Sequence, residues 1–340
     1  MTETKFLNLL HDYIYSYMAV SRNASPNTIK NYKGTFRLLM RYLSEKKSIH
    51  ADEIRFEDLD FDTLSAFLDW LIKERNVSSS TRNNRLAALV SFSEYAQNRD
   101  FDAASVFRRS ILQVDARKAE KKPRPYFTRE EMTILLSMPD EKTPIGARNK
   151  VILAMMYGTG ARVQEICDLT VGNIRFENGR ASIELHGKGS KYRRVVVGKA
   201  CADSLKEYIH FRRLENNPER HVFSSQTHEK MTISCIEEIV KKYLQMAKQQ
   251  HPDLYLMTGY TPHSIRHTTA THMIQAGVPI MAIKNFLGHT NVQTTQIYAE
   301  MAQNTVDKYI TEWNAKWFPT TSQEKQAGTT EDPIPDFLKN

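Results

Sequence analysis

Cysteine is scarce in this chain, and the three present are scattered. Cys167, Cys201 and Cys235 are odd in number and far apart, with no C-x-x-C pair. That excludes a disulfide framework and a cysteine-built zinc site, and fits a reducing cytosol. Long apolar runs are also missing. The longest, Val151 to Tyr157, is far too short to span a bilayer. The opening MTETKFLNLL shows no basic stretch leading into an apolar one, so no secretory signal is read there. The expectation is a cytoplasmic protein with no membrane partner.

What is present is a normal globular hydrophobic fraction in 340 residues, enough for two domains with separate cores. The formal net charge of +8 and a pI near 9.2 favour anionic partners. Up to about residue 115 the pattern is helical, with period 3.6. Phe6, Leu9, Leu10, Tyr13, Ile14 and Tyr17 form one stripe. Ser25-Pro26 supplies an N-cap followed by proline, ahead of Ile29, Tyr32, Phe36, Leu39, Met40 and Leu43. Phe61 to Ile72 is a third amphipathic segment, and Ser80 or Thr81 caps a fourth.

Residues 115–125, DARKAEKKPRP, are densely charged and carry two prolines, which makes them the expected domain boundary. Beyond it, Thr128-Arg129-Glu130-Glu131 reads as a capping box. A helix through Ile152, Leu153 and Met156 should stop at Gly158-Thr159-Gly160, and another should start near Arg162. Alternation in Ala181–Leu185 and Tyr192–Val197 around Gly187-Lys188-Gly189 predicts a β-hairpin. Helix then returns to about Trp317, and the tail from Pro319 is polar and non-periodic.

Thr261-Pro262 is a helix start, so His263 and Arg266, three apart, share a face in its first turns. A helix N-terminus with a guanidinium and an imidazole makes a phosphate seat. Taken alone, each is better explained in a plainer way, His263 as a helix cap and Arg266 as a surface charge. His263 and His267 have the i,i+4 spacing of zinc peptidases, but Ser264 stands where such enzymes have glutamate, and a third ligand is lacking. No metal is expected, and His267 and His272 are read as structural. His289 follows Leu287-Gly288 in a polar turn, and Tyr298 comes nine residues later.

Taken in order, these motifs resemble the tyrosine recombinases, that is, the phage integrases and Xer-type recombinases. The motifs are Gly-Thr-Gly-Ala-Arg162-Val-x-Glu165, the Gly-Lys188-Gly-x-Lys191 hairpin, His263-x-x-Arg266-His, Leu-Gly-His289 and Tyr298. The resemblance covers almost the whole chain. It implies a mainly α fold with a small β-sheet in the catalytic domain, arranged as a two-domain, C-shaped DNA clamp. Residues 1–114 would be a SAM-like core-binding domain, 115–125 a basic linker, 126–318 the catalytic domain and 319–340 a flexible tail. It assigns Arg162, Lys188, His263, Arg266, His289 and Tyr298 to the active site, with Glu165 supporting Arg162.

The implied reaction is site-specific recombination of double-stranded DNA through a 3′-phosphotyrosine, by a homotetramer formed on DNA. A tyrosine phenol, with a pKa of about 10, needs a base or a strongly positive site before it attacks phosphorus. Arginine forks suit the phosphoryl oxygens, and a lysine suits the departing 5′-oxygen. Lys188 is preferred to Lys191 for that lysine because it matches Gly-Lys-Gly. No cofactor is called for. Lys30, Lys33, Arg82 and Arg85 at polar helix starts are expected to contact DNA phosphates. So are Lys118, Lys121, Lys122 and Arg124 in the linker and Lys191, Arg193 and Arg194 beyond the turn. Solvated surface charge is the bland alternative for each. Residues 303–313, with Val306, Tyr309, Ile310 and Trp313 apolar, could pack on a neighbouring subunit or in cis. A type IB topoisomerase-like activity and a non-catalytic DNA-binding regulator are the competing functions. Any accessory directionality factor is unknown.

Overall fold

The computed structural model describes residues 4–119, 124–187, 191–225 and 227–288. The expectations placed on Lys121, Lys122, Lys188, His289, Tyr298, the 303–313 helix and the 319–340 tail lie outside the described residues. The fold is mainly helical with a small three-stranded sheet. It divides into two compact units, residues 1–122 and 123–340, and the charged segment 115–125 straddles the division.

The first unit is all-helical. Its elements are α1 (Lys5–Asp12), which runs into a π-helical turn over Tyr13–Ser21, α2 (Pro26–Lys47), α3 (Phe61–Lys73), α4 (Ser79–Arg99) and α5 (Phe101–Leu112). Each start is set by a short polar side chain. Ser25 Oγ accepts from the Thr28 N–H at 3.3 Å with Pro26 at the first helical position. Asp60 accepts from the Thr63 N–H at 2.8 Å. The cap of α4 is Ser78, accepting from the Thr81 N–H at 3.2 Å, rather than the expected Ser80 or Thr81. Those two residues lie inside the first turn, because the earlier serine already satisfies its free N–H groups. The core is aromatic. Phe92 on α4 takes the edges of Phe6 and Phe36, with ring centroids 5.6 and 5.1 Å away.

The second unit comprises α6 (Arg129–Ser137), α7 (Pro144–Thr159), α8 (Val163–Asp168), β1 (Ile174–Glu177), β2 (Arg180–Gly187), β3 (Lys191–Val197), α9 (Lys199–Phe211), α10 (Ile233–Gln250), α11 (Pro262–Gln275) and α12 (Ile280–Leu287). The capping box at α6 is as expected, with Thr128 and Glu131 bonding reciprocally. The hairpin expected from alternation is part of a larger antiparallel sheet of order β1-β2-β3. The extra strand, β1, enters through Asn178-Gly179, whose φ values of 49° and 69° belong to the tight turn that matches strand twist. Register stacks Ile174 against Ile183 and Ile183 against Val195, so these side chains share the buried face.

Helix α11 runs through the middle of this unit and is buried along nearly its whole length, including its polar residues. Those groups are bonded rather than solvated. The Thr268 hydroxyl donates to the Ser264 carbonyl at 2.7 Å and accepts from the Phe127 N–H at 2.9 Å. The Thr269 hydroxyl donates to the Tyr157 carbonyl at 2.8 Å, and Tyr157 Oη pairs with His272 Nδ1 at 2.9 Å. Such pairing is what makes buried polar groups tolerable. Among the described residues, no helix is long and apolar enough to cross a membrane.

Candidate active site

The site is built where α7 stops. Gly160 ends that helix in the left-handed region, φ 57°. A Cβ there would lie 2.7 Å from Leu287 Cδ2, so glycine is required both by backbone conformation and by the close approach of α12. The turn delivers Arg162 to the N-cap position of α8, with its side chain 35% exposed.

Glu165, one turn on, is the hub. Its side chain is 2% exposed. Its carboxylate accepts from the Arg162 backbone N–H at 2.8 Å and from Arg162 Nη1 at 2.9 Å. Arg193 closes on the same carboxylate with Nη1 and Nη2, both at 2.7 Å. Burial works against the charged form of Glu165. The hydrogen bonds and charge of Arg193, then those of Arg162, outweigh it and hold the carboxyl below its ordinary pKa. Glu165 is therefore in contact with Arg162 through both its backbone and its side chain.

Arg193 departs from its expected role. It was read as a phosphate contact, but its side chain is only 9% exposed and is committed to Glu165 and, through Nε, to the Phe286 carbonyl at 2.9 Å. The strand alternation carried the signal. Tyr192 and Arg194 are exposed and Val195 and Val197 buried, so Arg193 falls on the inward face of β3.

Arg266, from the second turn of α11, is buried and reaches two backbone carbonyls. Nη1 donates to Gly160 O at 2.5 Å and Nη2 to Leu287 O at 2.6 Å. Two guanidiniums thus cap the C-terminal carbonyls of α12, where the helix dipole favours cations. His263 precedes Arg266 by one turn, and its ring reaches solvent. Even so, desolvation by the surrounding protein lowers its pKa, and the charges of Arg266, Arg162 and Arg124 lower it further. That keeps it neutral near pH 7, with a ring nitrogen able to take a proton. Arg162, His263 and Arg266 therefore meet in one electropositive place, although about a hundred residues separate the first from the other two.

The other histidines on α11 serve packing. His267 is 7% exposed and its pKa is pushed down to about 4, first by burial and then by the charge of Arg124, against a hydrogen bond with the Arg124 backbone. His272 is lowered as well, chiefly by burial. Among the described residues, no group of three or more histidine, cysteine or acidic side chains is placed to hold a metal ion.

The basic residues expected on DNA separate by exposure. Lys30, Lys118, Arg124 and Arg194 are exposed. Lys33 is half-buried, its ammonium 4.1 Å from the centre of the Tyr15 ring. Arg82 differs from expectation. It is 4% exposed and donates to the Asp115 carbonyl at 2.6 Å, so it braces the end of the first unit instead of facing solvent. Arg85 is half-buried and donates to Thr35 Oγ1 at 3.3 Å. A charge at a helix start looks identical in sequence whether it points out or in.

Residues 125–305 match the phage integrase family, and residues 13–100 match the phage integrase N-terminal SAM-like domain. A Sinorhizobium fredii protein assigned by name to the integrases/recombinases is 30% identical over 292 residues, 86% of each chain. The tyrosine recombinase XerC of Oceanobacillus iheyensis is 26% identical over 303 residues, 88% of this chain and 93% of its own. Among solved structures, the XerH site-specific recombinase bound to palindromic difH substrate aligns with TM-score 0.69 at 21% identity, covering 91% of this chain and 89% of that one. The Tn1549 transposon integrase in complex with transposon right end DNA aligns with TM-score 0.68 at 18% identity, covering 89% and 99%. At these identities the two structures speak for the fold.

Proposed function

The chain belongs to the phage integrase family, and from that premise we propose that it is a tyrosine site-specific recombinase acting on double-stranded DNA. It cuts and rejoins strands through a 3′-phosphotyrosine. In the reading we favour, the Tyr298 phenol attacks the scissile phosphorus and passes its proton to His263. The bond from phosphorus to the 5′-oxygen breaks, and that oxygen leaves with a proton from Lys188. The phosphoryl group stays on Tyr298 until an incoming 5′-hydroxyl reverses the step, so the bond is kept without ATP. Arg162, Arg266 and His289 stabilise the charge that gathers on the non-bridging oxygens.

What supports these roles is the convergence of Arg162, His263 and Arg266. Each guanidinium is held by partners of its own, and His263 sits in the field of both. Preorganised donors of this kind do not need to reorient as charge develops. The relatives' names, integrase and recombinase, favour strand exchange over a topoisomerase-like relaxation or a purely regulatory role. We assign exchange to four copies on two duplexes, with residues 303–313 as a contact between subunits. Lys30, Lys118, Arg124 and Arg194 are the phosphate contacts best exposed for the task.

The test is a nicked suicide duplex incubated in EDTA without nucleotide. The wild-type chain accumulates a covalent adduct on a 3′-phosphoryl end. Arg162→Ala loses the adduct while keeping most of its duplex affinity. Specific binding with no adduct from the wild-type chain would leave the regulator as the better reading.

A further inference from the structure

Arg193 lies outside the set of residues given a chemical role above, yet its contacts span three parts of the site. Both oxygens of Glu165 accept from its terminal nitrogens at 2.7 Å, and Phe286 O accepts from Nε at 2.9 Å. Glu165 in turn holds Arg162 through backbone and side chain. The Phe286 carbonyl belongs to the last turn of α12, next to the Leu287 carbonyl that Arg266 holds. The strand that carries Arg193 pairs with β2 from Leu185 opposite Arg193 to Gly187 opposite Lys191. One planar guanidinium thus bolts together the β2–β3 hairpin, the Arg162–Glu165 turn and the end of α12. The chain leaves α12 through Gly288, in the left-handed region with φ 66°. A Cβ on Gly288 would lie 3.0 Å from Arg193 Cδ, so the backbone at that exit is laid directly on the arginine stem.

We infer that Arg193 is a positioning residue for strand cleavage, setting Arg162 through Glu165 and setting the end of α12 through Phe286. The inference rests on the recombinase reading above. A fork-shaped guanidinium is needed because a lysine ammonium cannot bond two carboxylate oxygens in parallel and a carbonyl beyond them. Misplacing a reacting group by about 1 Å can cost on the order of 10²-fold in rate. The loss expected on breaking this bolt is therefore of that size, and it should fall on cleavage and not on binding.

The experiment is single-turnover cleavage of the nicked suicide duplex by Arg193→Lys, Glu165→Gln and the double variant, at saturating protein, with duplex affinity measured in parallel. Arg193→Lys is expected to form adduct about 10²-fold more slowly than wild type with affinity within twofold. The double variant should be no slower than the slower single variant, because both act through one bond pair. Wild-type cleavage by Arg193→Lys would overturn the inference, as would affinity falling in step with rate or strictly multiplicative losses in the double variant. If Arg193→Lys does not fold, Arg193→Met/Glu165→Gln, which removes both charges, decides the matter: slow cleavage with retained affinity supports positioning, and wild-type cleavage refutes it. Absence of adduct from the wild-type protein would instead strike the recombinase reading itself.

Discussion

Buried arginine is handled differently in the two units. In the first, Arg82 and Arg85 are tucked against helices with thin partnering. Arg82 meets a backbone carbonyl and an asparagine, Arg85 meets one hydroxyl, and the Nε of each is buried without an acceptor. Burial lowers the pKa of both. In the second unit, Arg193 meets a carboxylate through two nitrogens and a carbonyl through the third, and Arg266 meets two carbonyls. The first arrangement ties neighbouring segments with single hydrogen bonds. The second fixes three chain segments against one another, which is what a reaction needing fixed donors requires. Counting basic residues would treat the two regions alike; counting acceptors separates them.

That contrast predicts unequal responses to substitution. The largest is expected for Glu165→Ala, which strands Arg193 as an uncompensated buried charge and should cost about 3–5 kcal/mol in denaturant unfolding of the second unit. By contrast, Arg82→Met should cost no more than about 1 kcal/mol in the first unit, because the polar atoms it removes were poorly partnered to begin with. Equal costs would erase the distinction. Next, Arg162→Ala should lower the single-turnover cleavage rate by about 10²–10³ while leaving the melting temperature near that of wild type.

A third response depends on pH. The folded pKa of His267 is depressed, so the native state favours its neutral form, and the unfolded state binds more protons between the two values. Stability is therefore full above the ordinary value of 6.5 and falls as pH drops toward about 4. The loss across that window is about 3 kcal/mol. Glu165, also depressed, adds its own loss as pH falls below 4.5. Replacing His267 by Gln should flatten the upper part of this profile in pH-resolved melting, leaving the lower part in place. The smallest effect is expected from Lys30→Ala. It should leave stability unchanged and reduce the slope of log affinity against log salt by about 1, as the loss of one phosphate contact does. The same salt measurement on Arg82→Met should show no change of slope.

Much of this was legible in the chain. Caps, prolines and 3.6-residue spacing marked α1 to α4 of the first unit, though not α5, since those signals act within a few residues of where they are written. The capping box at Thr128 and the stop at Gly160 were legible for the same reason. Strand β1 was not, because four residues are too few to show alternation and its only local mark is the Asn178-Gly179 turn. The motif order singled out Arg162, Glu165, His263 and Arg266 as one group. It did not single out the contacts of Arg193, which depend on which way a strand residue points and on a helix end 93 residues away. Arg82 was misread for a related reason: its acceptor, the Asp115 carbonyl, is 33 residues on and is backbone, which no residue type announces.

In the proposed reaction Tyr298 is the residue that joins DNA, served by the site formed around Arg162, His263 and Arg266. The decisive experiment traps the adduct on a nicked duplex, digests it and maps the DNA-linked peptide by mass spectrometry. The expected result is a 3′-phosphoryl nucleotide on Tyr298, and no linked peptide from Tyr298→Phe. Linkage to any other residue, or an undiminished adduct from Tyr298→Phe, would contradict it.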